Sequence, residues 1–347
     1  SCCSNKTAEP LLHKYRHKYL CFNDDIQGTG TVTLAGILSA LRRKGLTFND
    51  LCNQRIVCLG AGSAGLGVVN SLMYAMVDAG MKPERAAKNF WMVDADGLLG
   101  TERPTLYKSQ RVFARADLPD GLSLLDVVKK VQPTILLGLS GAGRTFTEDI
   151  VREMAQHCAQ PIIFPLSNPT SKAECSFEDA VNWTDGRVIF ASGSPFQPGM
   201  CRAVERESAD SCAKCRVLTN AQTRMAAVEY NGQVYTPSQG NNMYIFPGVG
   251  LGAVVCRAKH VTDRMMYQAS RALASSVTQN ELDHGLVFPD LSNIREVSKQ
   301  IAIAVVQQAM AENLARRPHG ELQDLEAMVT DAMYSPEYPP IIRKPDL

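Results

Sequence analysis

No run of apolar residues in this 347-residue chain reaches the roughly 18 to 20 needed to cross a bilayer as a helix, and its first residues lack the charged, apolar and small-residue order of a secretion signal. The expectation is a protein with no membrane partner. An excess of either charge is missing too: 36 Lys and Arg stand against 35 Asp and Glu, for a formal net charge of +1. That balance excludes the basic footprint of a nucleic-acid binder and the one-sided charge of a disordered tail. Internal repeats are absent. So is a second Cys-x-x-Cys: Cys212 and Cys215 form CAKC, with Cys201 upstream, but neither a matching pair nor a histidine pair follows, and zinc is the weaker reading. The other cysteines are scattered, several in apolar stretches around Cys58, Cys158 and Cys256. That pattern suits reduced core thiols in a reducing compartment better than disulfides.

What is present is an ordinary globular composition, 45% hydrophobic and 20% charged, in a chain long enough for two domains or one large α/β domain. The opening residues, SCCSNKTAEPLLHKYRHKYLCFNDD, carry no clear helix cap and run at once into a basic, aromatic helical pattern. Residues 1–23 are therefore expected to be the remnant of a preceding domain. Helical spacing follows over 31–43, opened by 24–29 and closed by Gly45. RIVCLGAGSAGLGVVNSLMYAMVDAG then reads as a short strand, a glycine-rich turn and a helix from about Ala64.

Four further apolar runs, NFWMVDADG, TILLGLSGAG, PIIFPLSNPT and RVIFASGSP, end in small or polar residues and are separated by helical stretches such as Glu148–His157. This alternation predicts an α/β protein: a Rossmann-like, doubly wound parallel sheet with helices on both faces and a mostly helical C-terminal region beside it. The predicted organisation is a dinucleotide-binding domain over 24–240, a helical part over 241–317 and a tail over 318–347. Within the first, residues of about 199–226 are polar and without period, and are expected to form a surface insertion.

Gly60, Gly62 and Gly65 form G-x-G-x-x-G between a strand and a helix. The first glycine permits a tight turn, the second lets backbone approach a pyrophosphate, and the third lets helix and strand pack closely, with the helix N-terminus facing the phosphates. Asp94, at the end of the next strand, is placed to accept hydrogen bonds from an adenosine ribose. An acid there favours NAD, whereas Arg103 and Lys108 just beyond can neutralise the extra phosphate of NADP, so both cofactors stay open. Asp24 and Asp25 stand side by side at a helix start, where one carboxylate can meet a hard cation and its neighbour a substrate proton, or where both can simply cap. Asn168 in LSNPT and the Asn241, Asn242 pair in SQGNN are amides at places where a doubly wound sheet presents ligands, with plain loop turns as the alternative.

In chain order, FNDDIQGTGTVTLAGILSALR, LGAGSAGLG, GLSGAGRTFTEDIV, PLSNPTSKAEC, FASGSPF and SQGNNMYIFPGVGLGAV resemble the successive signatures of malic enzymes, and the likeness extends through the C-terminal helices. The resemblance implies oxidative decarboxylation of L-malate to pyruvate and carbon dioxide, with NAD or NADP and with Mg²⁺ or Mn²⁺. It implies Asp25 as a metal ligand, Asp24 as an acid/base residue beside the substrate, and Asn168 and Asn241 as malate contacts. Thr29, Ser63, Ala64, Leu139, Ser140 and Ser167 are implied along the cofactor. A homo-oligomer in the full-length form, in the cytoplasm or the mitochondrial matrix, is implied as well.

Three departures qualify this expectation. Family members carry a Glu-Asp pair a short way before FNDD that supplies two metal carboxylates, and here the equivalent place holds Ser1 and Cys2. The family's catalytic lysine and tyrosine belong to an N-terminal half that precedes this stretch. The 199–226 insertion leads directly toward Asn241. The chain by itself is therefore expected to be inactive. A malolactic enzyme of the same family, or a non-catalytic subunit that binds cofactor or forms oligomers, are the alternatives.

Overall fold

The computed structural model describes residues 5–195, 215–219, 226–317 and 324–336. Helix α1 (Asn5–Tyr15) leads through a π-helical turn (Asp24–Gly28) into α2 (Thr29–Arg43). Then come β1 (Ile56–Leu59), α3 (Ser63–Asp78), α4 (Pro83–Ala87), β2 (Phe90–Asp94), β3 (Gly97–Leu98), α5 (Lys108–Arg111) and α6 (Leu124–Val131). They are followed by β4 (Ile135–Gly138), α7 (Glu148–His157), β5 (Ile162–Pro165), α8 (Phe177–Trp183) and β6 (Ile189–Ser192). The second half holds β7 (Cys215–Thr219), β8 (Ala226–Tyr230), β9 (Gln233–Tyr235), β10 (Ser238–Gln239), α9 (Phe246–Val255), α10 (Asp263–Ser276), α11 (Gln279–Asp283), α12 (Ile294–Ala311) and α13 (Leu325–Ala332).

Seven strands form one sheet in the order β10-β6-β5-β4-β1-β2-β3. Ile56 of β1 lies opposite Phe90 on one side and Ile135 on the other, both in parallel register. The strands read as unbroken apolar runs because both faces are covered. Alternate residues then divide between two cores. Ile56, Cys58, Phe90, Met92, Ile135 and Leu137 join the core beneath α2, α3, α9, α10 and α12. Val57, Leu59, Trp91, Val93 and Leu136 join the core beneath α6, α7 and α8. A one-residue slip of any strand would exchange the two sets.

Three features depart from the pattern read in the sequence. The sheet is not wholly parallel, because β3 runs antiparallel to β2. The cause is local: Asp94 Oδ1 accepts the Asp96 N–H at 2.9 Å, an Asx-type turn, and Gly97 follows at φ +91°, so the chain doubles back at once. Part of the expected irregular insertion is a strand: β7 pairs antiparallel with β8, and β8 with β9, in a separate three-stranded sheet. A five-residue strand takes its stability from the cross-strand ladder rather than from its own periodicity, which is why no pattern announced it. The rest of that insertion, with Cys201 and Cys212 of the zinc reading, lies outside the described residues. The tail carries α13, which packs on α9 and α12 through the fully buried Val329.

Cys58, Cys158, Cys175 and Cys256 are buried and unpaired, as expected of core thiols. Among the described residues no helix is long and apolar enough to cross a membrane.

Candidate functional site

The C-terminal ends of β1, β2, β4, β5 and β6 open into the loops that carry most of the residues picked out in the sequence, at the crevice where a doubly wound sheet presents its ligands. At the end of β1 the backbone turns through Gly60 at φ +117°. A Cβ on Gly60 would lie 2.4 Å from the Leu139 carbonyl oxygen, and one on Gly65 would lie 1.9 Å from that of Gly60 itself. Both glycines are thus required by contact, the first for the turn and the third for seating α3 against β1. Gly62 precedes α3, and no side chain caps that helix. Its first turn presents the positive end of the helix dipole to the crevice.

Asp94, at the end of β2, sits beside this loop, where the Gly60 N–H donates to Val93 O at 2.7 Å. Its Oδ1 accepts from Arg103 Nη1 at 2.7 Å as well as from the Asp96 N–H, which leaves Oδ2 as an acceptor. Arg103 is 8% exposed and also donates to Asp120 Oδ1 at 2.9 Å and to Leu98 O at 2.8 Å. It is therefore a brace for Asp94, and the sequence reading in which it neutralises a cofactor phosphate does not fit its geometry. Lys108 opens α5 on the exposed surface.

The acidic pair rides on the π-helical turn ahead of α2. Capping, the plain reading of the two aspartates, belongs instead to their neighbour: Asn23 Oδ1 accepts the Ile26 N–H at 2.9 Å, and Gln27 Oε1 accepts the Asn23 N–H at 3.0 Å. The aspartates are released for other work. Asp24 turns inward, and its Oδ2 accepts from Asn242 Nδ2 at 3.0 Å while its Oδ1 is buried with no partner. Gly28 leaves the room for it, since a Cβ there would lie 2.0 Å from that oxygen. Burial pushes the Asp24 carboxyl above its ordinary range; the Asn242 hydrogen bond opposes this and the neighbouring Asp25 adds to it. Asp25 is exposed. Thr29 Oγ1 lies 3.2 Å from Asn242 Nδ2 and joins the same cluster.

The facing wall comes from the loops after β4 and β5. Leu139 is fixed by its N–H to Leu59 O at 2.7 Å. Ser140 donates its N–H at 3.0 Å and its hydroxyl at 2.8 Å to Glu174 Oε1, and Ser167 donates its hydroxyl to the same oxygen at 2.5 Å. The Gly141 N–H closes the set on Ser167 Oγ at 2.8 Å. Asn168, exposed and followed by a cis peptide to Pro169, accepts from Ser194 Oγ. Asn241 uses its Oδ1 to cap the short turn after it, taking the Met243 N–H at 2.9 Å.

These elements enclose a cleft of about 480 Å³ lined by Asp24, Asp25, Thr29, Ser63, Ala64, Leu139, Ser167, Asn168, Asn241 and Asn242. Gly60, Gly62, Gly65 and Asp94 shape the loop beside it, and Ser140 is tied behind it. Two side chains stand out that sequence reasoning did not assign. Asn242, rather than its neighbour Asn241, is the amide that reaches Asp24. Glu174, in the stretch SKAEC, ties the two loops together; its one sequence signal was an acid between residues of a core-like run. Among the described residues, no group of three His, Cys, Asp or Glu side chains is gathered to hold a metal ion. Asp25 alone does not make a Mg²⁺ or Mn²⁺ site, because such cations rely on several oxygen ligands.

The model of the malic enzyme NAD-binding domain matches residues 26–211 and 201–310. The chain is 45% identical over 337 residues to the NADP-dependent malic enzyme of Dictyostelium discoideum, covering 96% of this chain and 56% of that one. It is 39% identical over 353 residues to the mitochondrial NAD-dependent malic enzyme 2 of Arabidopsis thaliana, covering 98% and 53%. The chain thus spans about half the length of these relatives. Among solved structures, the malic enzyme of Entamoeba histolytica superposes with a TM-score of 0.70 at 23% identity, over 95% of this chain and 57% of that one.

Proposed function

The chain belongs to the malic enzyme family, and on that premise we propose that it forms the dinucleotide-binding half of an enzyme that oxidises and decarboxylates L-malate to pyruvate and carbon dioxide with NAD or NADP. One juxtaposition supports the reading: the uncapped start of α3 and the Asp24–Asn242 pair open into the same cleft. A nicotinamide bound there supplies the hydride acceptor. The chain's own residues hold and orient. The turn at Gly60, Gly62 and Gly65 offers backbone amides to a pyrophosphate, and Asp94 keeps Oδ2 for the ribose hydroxyls. Thr29, Ser63, Ala64, Leu139, Ser140 and Ser167 are proposed along the cofactor.

Asn168, Asn241 and Asn242 present amides that can orient a carboxylate or a carboxamide without adding charge. Asp24 is the proposed proton-holding group, at the Oδ1 that has no other partner. Asp25 is proposed as one carboxylate ligand of Mg²⁺ or Mn²⁺, with no step of the reaction assigned to the cation. Malate and pyruvate as small-molecule partners, a homo-oligomeric full-length form, and the cytoplasm or mitochondrial matrix as compartment belong to the same proposal.

The test is fluorescence titration of NADH and NADPH into the 347-residue chain, with Gly65→Ala as the comparison. The added methyl must displace the start of α3, and at least a tenfold loss of cofactor affinity is expected with the helical content unchanged. Unaltered binding by Gly65→Ala refutes the cofactor assignment. Malate-dependent NAD(P)H formation by this chain in Mn²⁺ refutes its description as one half of a site.

A further inference from the structure

Glu174 is fully buried. Its Oε1 accepts the Ser140 N–H, the Ser140 hydroxyl and the Ser167 hydroxyl, and its Oε2 lies 3.5 Å from the Ser167 N–H. Every one of these partners is a neutral donor. The two N–H groups can only donate, and four donors converging on one carboxyl suit a carboxylate, with no ion pair reaching it among the described residues. The fold makes room for it at a specific place: a Cβ on Gly138, the last residue of β4, would lie 2.4 Å from the Glu174 carboxyl carbon. A negative charge is thus built in directly beneath the two loops that form one wall of the cleft. Three of the four contacts fall on Oε1, an acceptor that an amide oxygen also supplies. Charge is what distinguishes a glutamate at this position.

We propose that Glu174 biases the cleft toward the oxidised, positively charged nicotinamide and against the neutral reduced one. The inference rests on the reading that the nicotinamide lies along Ser140 and Ser167. The oxidised ring carries one positive charge, which is lost when it accepts hydride. A buried carboxylate that no cation answers interacts with that charge through a medium far less screening than water, so the oxidised cofactor gains affinity that the reduced cofactor does not. The same carboxylate therefore favours release of the reduced product once the hydride has moved.

Calorimetric titration of the 347-residue chain with oxidised cofactor, reduced cofactor and ADP-ribose decides the matter, in the wild type and in Glu174→Gln and Glu174→Asp. The expected result for Glu174→Gln is about tenfold weaker binding of the oxidised form, with the reduced form and ADP-ribose changed little. Glu174→Asp, which keeps the charge, is expected to retain the wild-type ratio. Equal loss for all three ligands assigns Glu174 to loop structure alone and overturns the proposal. Should neither variant fold, the wild-type ratio decides: oxidised cofactor must bind at least as tightly as reduced, and the reverse preference overturns the proposal. A wild-type chain that binds ADP-ribose but neither dinucleotide preferentially to it locates the failure in the placement of the nicotinamide instead.

Discussion

Replacing Arg103 with methionine keeps most of the apolar stem of the side chain and removes its charged head. The loss falls on five acceptors: Asp94 Oδ1, Asp120 Oδ1 and the Leu98 carbonyl oxygen, now held at 2.7, 2.9 and 2.8 Å, and the Asp96 and Gly97 carbonyl oxygens, held more loosely at 3.2 and 3.4 Å. Removing one member of a fully buried ion pair typically costs about 3–5 kcal/mol, because the other is left without compensation. Here the Asp94 and Asp120 side chains are 27% and 35% exposed, so water recovers part of that loss, and about 2–3 kcal/mol is the expected cost. Urea denaturation measures it as a lower midpoint at unchanged slope. Cofactor titration supplies the second readout. With its brace gone, Asp94 loses the orientation that the proposed ribose contact requires, and NAD and NADP should both weaken by similar factors. A variant within about 0.5 kcal/mol of wild type, or one that loses NADP affinity while keeping NAD, would refute the brace and restore Arg103 as a reader of the phosphate.

Two further outcomes follow from local electrostatics. The Arg115 fork on Asp117, with contacts of 2.7 and 2.6 Å, holds that carboxyl below its ordinary value of 3.8. Its contribution to stability is therefore present above that value and is lost as pH falls through the depressed one. Asp117→Asn should cost under about 1 kcal/mol at neutral pH, since the carboxylate is largely exposed, and nothing in strong acid; a penalty that does not shrink with pH in urea melts refutes the pairing. Burial pushes the Cys58 thiol up to about 12, with the Glu174 charge adding to it. Iodoacetamide at pH 8 should leave Cys58 unmodified in the native chain and alkylate it after denaturation, as read by peptide mass spectrometry, and native-state labelling contradicts its placement.

Legibility in the sequence divides by distance along the chain. The turn at Gly60, Gly62 and Gly65, the strand ends and the 148–157 helix were readable because their determinants lie within a few residues of one another. Asn23, Asp24 and Asp25 are three cap-competent residues in a row, so the sequence could not say which one caps, and only the fold shows that Asn23 does. The antiparallel return of β3 was written in DADG, but as side-chain-to-backbone chemistry that apolar periodicity does not register. What no window could reveal were partners brought together by topology. Asn242 meets Asp24 across 218 residues, and Glu174 meets Ser140 across 34. Both pairings exist only once the sheet order is set.

The turn that carries Asp24 and Asp25 runs without a break into α2, whose residues from Gly30 to Leu41 are all buried. Its amides are therefore wired into the cooperative unit of the whole molecule rather than into a surface loop with its own opening equilibrium. Solvent hydrogen at Thr31 or Thr33 should be exchanged only when the entire fold comes apart. Breathing of the cleft must then come from the other wall, where short loops are tied by serine hydroxyls, and the acidic side serves as the fixed jaw against which they move.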